Sequence, residues 1–476
     1  MSLKHFLTTS ALVTLCTLSL SACGTHKQAS NESKLAPKQV LNWSLQTENS
    51  TLDSAAVTES ESADIVNNAM EGLYRVVNNK PKNGLATSCK SSADGDYKLV
   101  VQLDQKLPYF KLLMGDVYFF PQNKQAVEKY GKRYGTSATT TVYNGPFVVK
   151  GWNGSKLKWK LVKNHTYWDQ KNVRLDTLNV NVVQSLSTAY NLYQANKLDF
   201  TYLNAEQGKQ LADKLGYRVF HRARVSYMEF NEVKKEFKNQ KIRQALSYAI
   251  DRKQISASVF GNNATPLTGI VSKNLMSFKG KDFSELAQTK VGTSYNPKLA
   301  RKLMTEGLRE SNKDQLKFTL LSSDNENMKK EAELLQSQIE ETLPQVKISV
   351  RNIPLKNVLN QTLKGDFDVQ LTGWLADFAD PINFLDVEAK SSPTNVGKWD
   401  NSEYNQLLTA AKTTNALNPE KRIADLVKAS KVLNQAQPVI PLVQLGEPEI
   451  LRPTVHGLVQ NTAGTTDDFK NVYITQ

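Results

Sequence analysis

The chain has 476 residues, 40% hydrophobic and 22% charged, with 23 glycines and 16 prolines. That composition excludes collagen-like, low-complexity and wholly disordered polymers, and the length suits about three domains of ordinary size. Lys and Arg number 60 against 46 Asp and Glu, a formal net charge of +14, which suits an anionic neighbourhood such as a cell wall or lipid headgroups. The basic residues are spread along the chain without an aromatic-basic module, so nucleic acid is not an expected partner.

Lys4 and His5 precede an apolar stretch from Phe6 to Leu20, followed by Ser21-Ala22-Cys23. A basic start, a short apolar run and small residues make a secretory signal, and neither this run nor any later one reaches the roughly 20 apolar residues of a membrane helix. Leu20-Ser21-Ala22-Cys23 resembles the bacterial lipobox, in which the cysteine is acylated and begins the mature chain. Cys23 is therefore the expected lipid attachment site, on the extracytoplasmic face of the cell membrane. Of the three cysteines, Cys16 leaves with the signal and Cys23 takes lipid, so Cys89 alone remains and no intrachain disulfide forms. The polar residues from Gly24 to Lys38 read as a flexible tether.

Ordered structure is expected from Val40, with a strand over Val40 to Leu45 and a helix over Ala63 to Val76 on the spacing of Ile65, Ala69, Met70 and Leu73. Strands follow at Tyr97 to Leu103, Phe147 to Trp152 and Leu157 to Leu161, then a helix with Leu186, Ala189, Tyr190 and Tyr193 on one face. Lys241 to Val259 places Ile242, Ala245, Leu246, Ala249 and Ile250 along one helical stripe. From Leu316 the pattern alternates: strand to Leu321, helix Asn327 to Leu343, strand Val346 to Ile353, helix Leu355 to Leu363, strand Phe367 to Gly373. Such alternation predicts a parallel-rich α/β lobe whose ligands bind beyond the carboxyl ends of the strands. The last strand leads there into Gly373-Trp374-Leu375-Ala376-Asp377, the leading site candidate.

GxSxG, HExxH and GxxxxGK[ST] are all missing from the chain, and its histidines are widely separated. With no CxxC and no His/Cys cluster, no metal or other cofactor is expected, and a binder is favoured over an enzyme. Asp377 has two readings on the residues alone: a carboxylate that pairs with a ligand's ammonium, or a cap on the turn Phe378-Ala379-Asp380-Pro381. Trp374 and Trp399 suit a core or lobe interface. Asn395 to Asn401 has the composition of a turn that presents backbone groups.

Several ordered segments resemble the extracytoplasmic solute-binding proteins of peptide ABC importers, the oligopeptide-binding lipoproteins, over nearly the whole mature chain. They include Ser50-Thr51-Leu52-Asp53, Asn67 to Arg75, Tyr143-Asn144-Gly145-Pro146-Phe147, and Lys163-Asn164 with Tyr167-Trp168. Further on come Glu229-Phe230-Asn231, Lys241 to Arg252, Tyr295-Asn296-Pro297, Phe367-Asp368-Val369, Gly373 to Pro381 and Pro438 to Leu442. The resemblance implies an α/β, two-lobed periplasmic-binding-protein-like clamp of type II, peptide-binding cluster, with an inserted subdomain. It would capture oligopeptides and deliver them to permease and ATPase partners. It also implies that Asp377 receives the peptide's α-ammonium and that Gly373, Trp374 and Leu375 bind the ligand, Gly373 to Leu375 through their main chain.

On this basis residues 1–22 are a lipoprotein signal, 23–39 a tether, and 40–75, 142–228 and 448–476 lobe I. Residues 76–141 are a truncated small subdomain and 229–447 lobe II. The truncation is the chain's departure from the pattern: soon after Cys89 it reaches Tyr97 to Val101 and Leu107 to Phe110, without the Trp-Ser-Asp-Gly type strand and the helices that the family carries between. A surface receptor or adhesin, or a decaying paralogue that keeps the scaffold without uptake, is the alternative reading.

Overall fold

The computed structural model describes residues 34–85 and 101–476. Cys23, nearly all of the tether, Cys89 and the first part of the Tyr97 to Leu103 segment lie outside the described residues; Val101 to Leu103 form no strand. Residues Leu35–Gln476 make one compact unit.

Its backbone is an eleven-stranded sheet. The first strand, β1 (Val40–Leu45), alternates as a half-buried strand must: Leu41, Trp43 and Leu45 point into one core, where Trp43 meets the Phe469 ring at 4.7 Å. A hairpin, β2 (Tyr74–Val77) and β3 (Lys80–Asn83), turns through Asn78 and Asn79, both at positive φ (51° and 61°), a conformation that asparagine tolerates. Then come β4 (Phe147–Lys150), β5 (Lys158–Lys163), β6 (Thr177–Val182), β7 (Phe200–Tyr202), the 14-residue β8 (Tyr217–Phe230) and β9 (Thr265–Pro266). A short hairpin, β10 (Ser277–Phe278) and β11 (Lys281–Asp282), precedes β12 (Leu316–Ser323), β13 (Val346–Ile353), β14 (Val369–Leu375) and the 13-residue β15 (Val439–Leu451). The sheet order is β13-β12-β14-β8-β15-β7-β1-β6-β5-β4, with β9 added to β15.

Each end of this sheet has its own core. The first gathers Leu41, Trp43, Phe147, Leu161, Phe200 and Phe469. At the other end both faces are covered. Even-numbered Met228 and Phe230 of β8 pack with Leu320 and Ile339, while odd-numbered Ala223, Val225 and Tyr227 pack with Phe384, Tyr404 and Leu433. β8 and β15 run between the two ends, paired antiparallel from Glu229 to Tyr217 with register shifts on either side of Gln444, so the expected boundaries 228/229 and 447/448 fall inside strands.

The expected α/β alternation is present from Leu316 to Leu375, with helices Glu326–Thr342 and Leu355–Leu363 between strands. The sheet is mixed rather than parallel-rich, because β12 pairs parallel with β13 and β14 while β8 and β15 run antiparallel in the middle. Two helices differ from expectation. The first covers Ser60–Ala69 only: Met70 turns extended, and Asn144 clamps the Glu71 backbone by accepting from its N–H (3.0 Å) and donating to its C=O (3.1 Å). Tyr74–Val77 is strand. The stripe from Lys241 to Val259 is two helices, Gln240–Tyr248 and Arg252–Phe260, because Asp251 accepts from the N–H groups of Lys253 and Gln254 and so starts a new one.

Candidate functional site

The strand that bears the predicted site is held on one side along its whole length. β14 pairs with β8 from Val369 opposite Phe230 to Leu375 opposite Arg224. On its other side β12 meets only Val369 and Gln370, through Leu320 and Leu321. From Leu371 to Leu375 the outer edge of β14 has no strand beside it among the described residues, so its backbone groups can add an extended chain. Gly373 to Leu375 thus lie in a strand rather than in the loop expected for them. Gly373 is exposed, and a Cβ there would stand 2.6 Å from the Val225 carbonyl oxygen, so the close approach of β8 requires glycine.

Asp377 follows two residues beyond this edge with its side chain exposed. Its carboxylate accepts from Asn383 Nδ2 at 3.2 Å, while Asn383 Oδ1 accepts from Trp374 Nε1 at 2.8 Å and from the Asp377 N–H at 3.3 Å. One buried amide thus orients two of the predicted residues. Asn383 was not singled out in the sequence; the only signal was its place in the short helix Ile382–Leu385 after Asp380-Pro381. Asp380 is not a ligand group. It is buried and paired through both oxygens with Arg422 at 2.8 and 2.9 Å, which pins the loop beneath Asp377.

Residues from the segment before Phe120 rest on this loop and on the turns at Asn274 and Thr462. Tyr109 stacks on Phe378 with centroids 4.7 Å apart and planes 15° from parallel. Asn79 donates to Thr462 Oγ1 at 2.6 Å and to the Asn274 carbonyl at 2.9 Å. Asp116 shares a small cavity with Asp377, Leu112, Phe378 and Gly464. Burial pushes the Asp116 carboxyl up to about 6, the Tyr118 N–H bond opposes that rise, and the Asp377 charge adds to it.

A cavity of about 750 Å³ is lined by none of the four predicted ligand residues. It opens between the two cores, against Trp43 and Asp64 on one side, the start of helix Glu326–Thr342 on the other, and Arg222, Arg224 and Glu447 of the crossing strands. It nevertheless adjoins β14, since Arg224 stands opposite Leu375. The free edge of β14 thus lies between two features, the exposed carboxylate of Asp377 and a wider chamber that Arg224 helps to line. The sequence offered no pattern that marks Arg222 and Arg224.

Trp399 is core, 5% exposed and 4.9 Å from the Tyr404 ring. The turn around it spends its backbone inward: Gly397 N–H donates to Glu229 at 2.9 Å and its C=O accepts from Glu232 N–H at 2.8 Å. Among the described residues no three His, Cys, Asp or Glu side chains gather as metal ligands.

The family model for bacterial extracellular solute-binding proteins, family 5, middle region, matches residues 59–395. A dipeptide-binding protein of Lactococcus lactis subsp. cremoris is 32% identical over 399 residues, covering 80% of this chain and 72% of the relative. The substrate-binding domain of an oligopeptide ABC transporter from Bacillus anthracis superposes with a TM-score of 0.74 at 28% identity, covering 93% of this chain and 100% of that one. Listeria monocytogenes OppA bound to peptide gives a TM-score of 0.74 at 26% identity over the same shares. The α/β architecture is thus that of the two-lobed periplasmic binding proteins. A match over most of its length makes this chain a member of the bacterial extracellular solute-binding proteins of family 5.

Proposed function

We propose that this chain is a lipid-anchored extracytoplasmic receptor that captures oligopeptides between its two lobes and delivers them to an ABC importer, whose permease and ATPase subunits carry out transport. Relatives named for dipeptide and oligopeptide binding support the ligand class. Acylation of Cys23 at the lipobox-like Leu20-Ser21-Ala22-Cys23 supplies the anchor.

The observation that carries the reading is the free edge of β14 from Leu371 to Leu375, ending beside the exposed Asp377 carboxylate. A peptide is an extended strand with an ammonium at one end. Such an edge meets its main chain, and the carboxylate meets its charge, without requiring any particular side chain. Trp374, tied to Asn383, forms one wall.

The test is calorimetric titration of the full chain, unfolded and refolded to strip carried-over ligand, with pools of peptides of increasing length. Saturable heat is expected, and Asp377→Ala is expected to weaken free-amine peptides about 10- to 100-fold while leaving N-acetylated ones nearly unchanged. Folded protein that takes up no peptide would favour the adhesin or decaying-paralogue reading. Metabolic labelling with a fatty acid, lost in Cys23→Ala, tests the anchor.

A further inference from the structure

We infer that the outer face of the β4–β5 hairpin is a docking surface for an anionic lipid bilayer. The inference goes beyond the peptide reading and does not depend on it.

Lysines and arginines occur along the whole chain, but acids thin out over one stretch. From Val117 to Trp168 there are nine bases and a single acid, Glu128, which lies 3.7 Å from Lys124. That stretch alone carries more than half of the net +14.

The fold gathers these bases on one side. Lys158 and Lys160 alternate with the core residues Trp159 and Leu161 and so project from the outer face of β5. Lys150 of β4 stands directly opposite Lys160, and Asn179 and Asn181 of β6 continue the face. Lys156 belongs to the hairpin loop, and the turn Gly131–Arg133 is brought to that loop. Thr136, whose N–H donates to the Arg133 carbonyl at 3.2 Å, has its own carbonyl oxygen 3.1 Å from where a Cβ on Gly154 would stand, and the Ala138 N–H donates to the Trp152 carbonyl at 3.0 Å. Lys132, Arg133, Lys150, Lys156, Lys158 and Lys160 are all exposed, and none of these side chains has a hydrogen-bond or ion-pair partner among the described residues. Along the row from Lys160 the first acid is Asp199, beyond Asn179 and Asn42, and the Asn42 N–H and Nδ2 both donate to it at 2.8 Å. A lysine on an edge strand guards it against pairing with a second sheet, a role that Lys150 fills. Lys158 and Lys160 lie on β5, which is paired on both sides. Like charges directly opposite cost stability when left alone, so this face suits a partner that neutralises it.

Two features point to a bilayer rather than to a soluble polyanion. Leu157, 49% exposed, stands between Lys156 and Lys158, and a headgroup layer accepts an apolar side chain flanked by bases. The chain also enters beside this face: Leu35 bridges to Thr475, the Gln39 carbonyl accepts from the Thr177 N–H at 3.2 Å, and Thr177 stands opposite Val162, two residues from Lys160. Cys23 precedes Lys34 by eleven residues, a length of chain that reaches at most about 40 Å. A lipid on Cys23 and the lysine face can thus meet one bilayer.

The experiment takes the chain from Gly24, which keeps the compact unit Leu35–Gln476 and lacks the expected signal and lipid. It measures cosedimentation with phosphatidylcholine vesicles that contain either no anionic lipid or about 30% phosphatidylglycerol. Binding to the anionic vesicles alone is expected, falling steeply as salt rises from about 50 to 300 mM. Lys156→Gln/Lys158→Gln/Lys160→Gln should weaken it about 100-fold, close to fivefold for each lysine. Lys253→Gln/Lys298→Gln/Lys431→Gln removes the same charge from exposed positions elsewhere and should stay within about twofold of the wild type. Leu157→Ser should cost about 3- to 10-fold. Thermal midpoints no lower than the wild type's show that the variants fold. No binding to anionic vesicles, or equal losses in the two triple variants, would overturn the inference. So would vesicle binding that is indifferent to Leu157→Ser and abolished by soluble polyphosphate, since the face would then serve a free polyanion. Peptide titration of the Lys156/Lys158/Lys160 variant should match the wild type, because β4 and β5 stand at the opposite end of the sheet order from β14.

Discussion

Asp380 and Arg422, 42 residues apart, form a two-bonded ion pair under the loop that follows β14, with side chains 10% and 6% exposed. Asp380 also accepts from the Ile382 N–H at 3.0 Å, so one carboxylate ties a helix start to a second helix. Removing one partner leaves a buried charge alone, a loss of about 3–5 kcal/mol. Arg422→Ala is expected to lower the urea midpoint accordingly. The Asp380→Ala/Arg422→Ala double variant should lose less than the two single losses combined, which a double-mutant cycle reads directly.

Asn383 couples Trp374 to Asp377 through a single amide. Asn383→Leu keeps the branched shape and removes all three bonds, leaving the indole N–H and the Asp377 N–H without their acceptor and the carboxylate without its donor. Affinity for free-amine peptides should fall about 5- to 30-fold, the effect of one or two hydrogen bonds of ordinary strength. A shift in tryptophan emission that accompanies ligand addition in the wild type should shrink in the variant. An unchanged affinity would mean that neither Asp377 nor Trp374 depends on Asn383 for its place.

What the sequence discloses is what is local. The run from Leu316 to Leu363 was legible because each strand and helix carries its own period, and its partner is the next element along the chain. The helix at Ser60–Ala69 was over-extended because its end is decided by Asn144, more than 70 residues away. The stripe at Lys241 to Val259 kept its apolar period through a break that one Asp side chain imposes. In the site, the Gly373 to Asp377 motif could be found, but its chemistry depends on β12 leaving β14 after Gln370 and on β8 pairing it from about 145 residues away. Neither fact has a local signature, so the free edge and Arg224 became visible only in three dimensions.

Glu331 sets a pH dependence. It is fully buried against β8, with one oxygen accepting from Ser226 at 2.8 Å and the other without a partner, and burial pushes its carboxyl up to about 7 against the opposing Ser226 bond. A carboxyl raised on folding favours the protonated native state. Its contribution is therefore complete below the unfolded value near 4.3 and is lost as pH climbs through about 7. Glu331→Gln stays neutral throughout. The variant should match the wild type at pH 4 and exceed it by roughly 3 kcal/mol at pH 8.5, read from urea unfolding at each pH.

Gly373→Ala separates the ligand edge from the body of the fold. The added Cβ would meet the Val225 carbonyl, a backbone atom that cannot swing aside, so the two strands must part near Ser226, the residue opposite Gly373. Overpacking of this kind costs about 1–3 kcal/mol. The side chains of Val225 and Tyr227 in one core and of Met228 and Phe230 in the other should hold the rest of the sheet. The urea midpoint should therefore fall modestly, whereas peptide affinity should fall by more than the stability change accounts for, because the displaced segment is the one whose outer N–H and C=O groups are proposed to meet the ligand. Hydrogen exchange resolved along β14 locates the effect: faster exchange confined to Leu371 to Leu375 is expected, and faster exchange spread over β12 and β13 would instead place Gly373 in the core of the lobe.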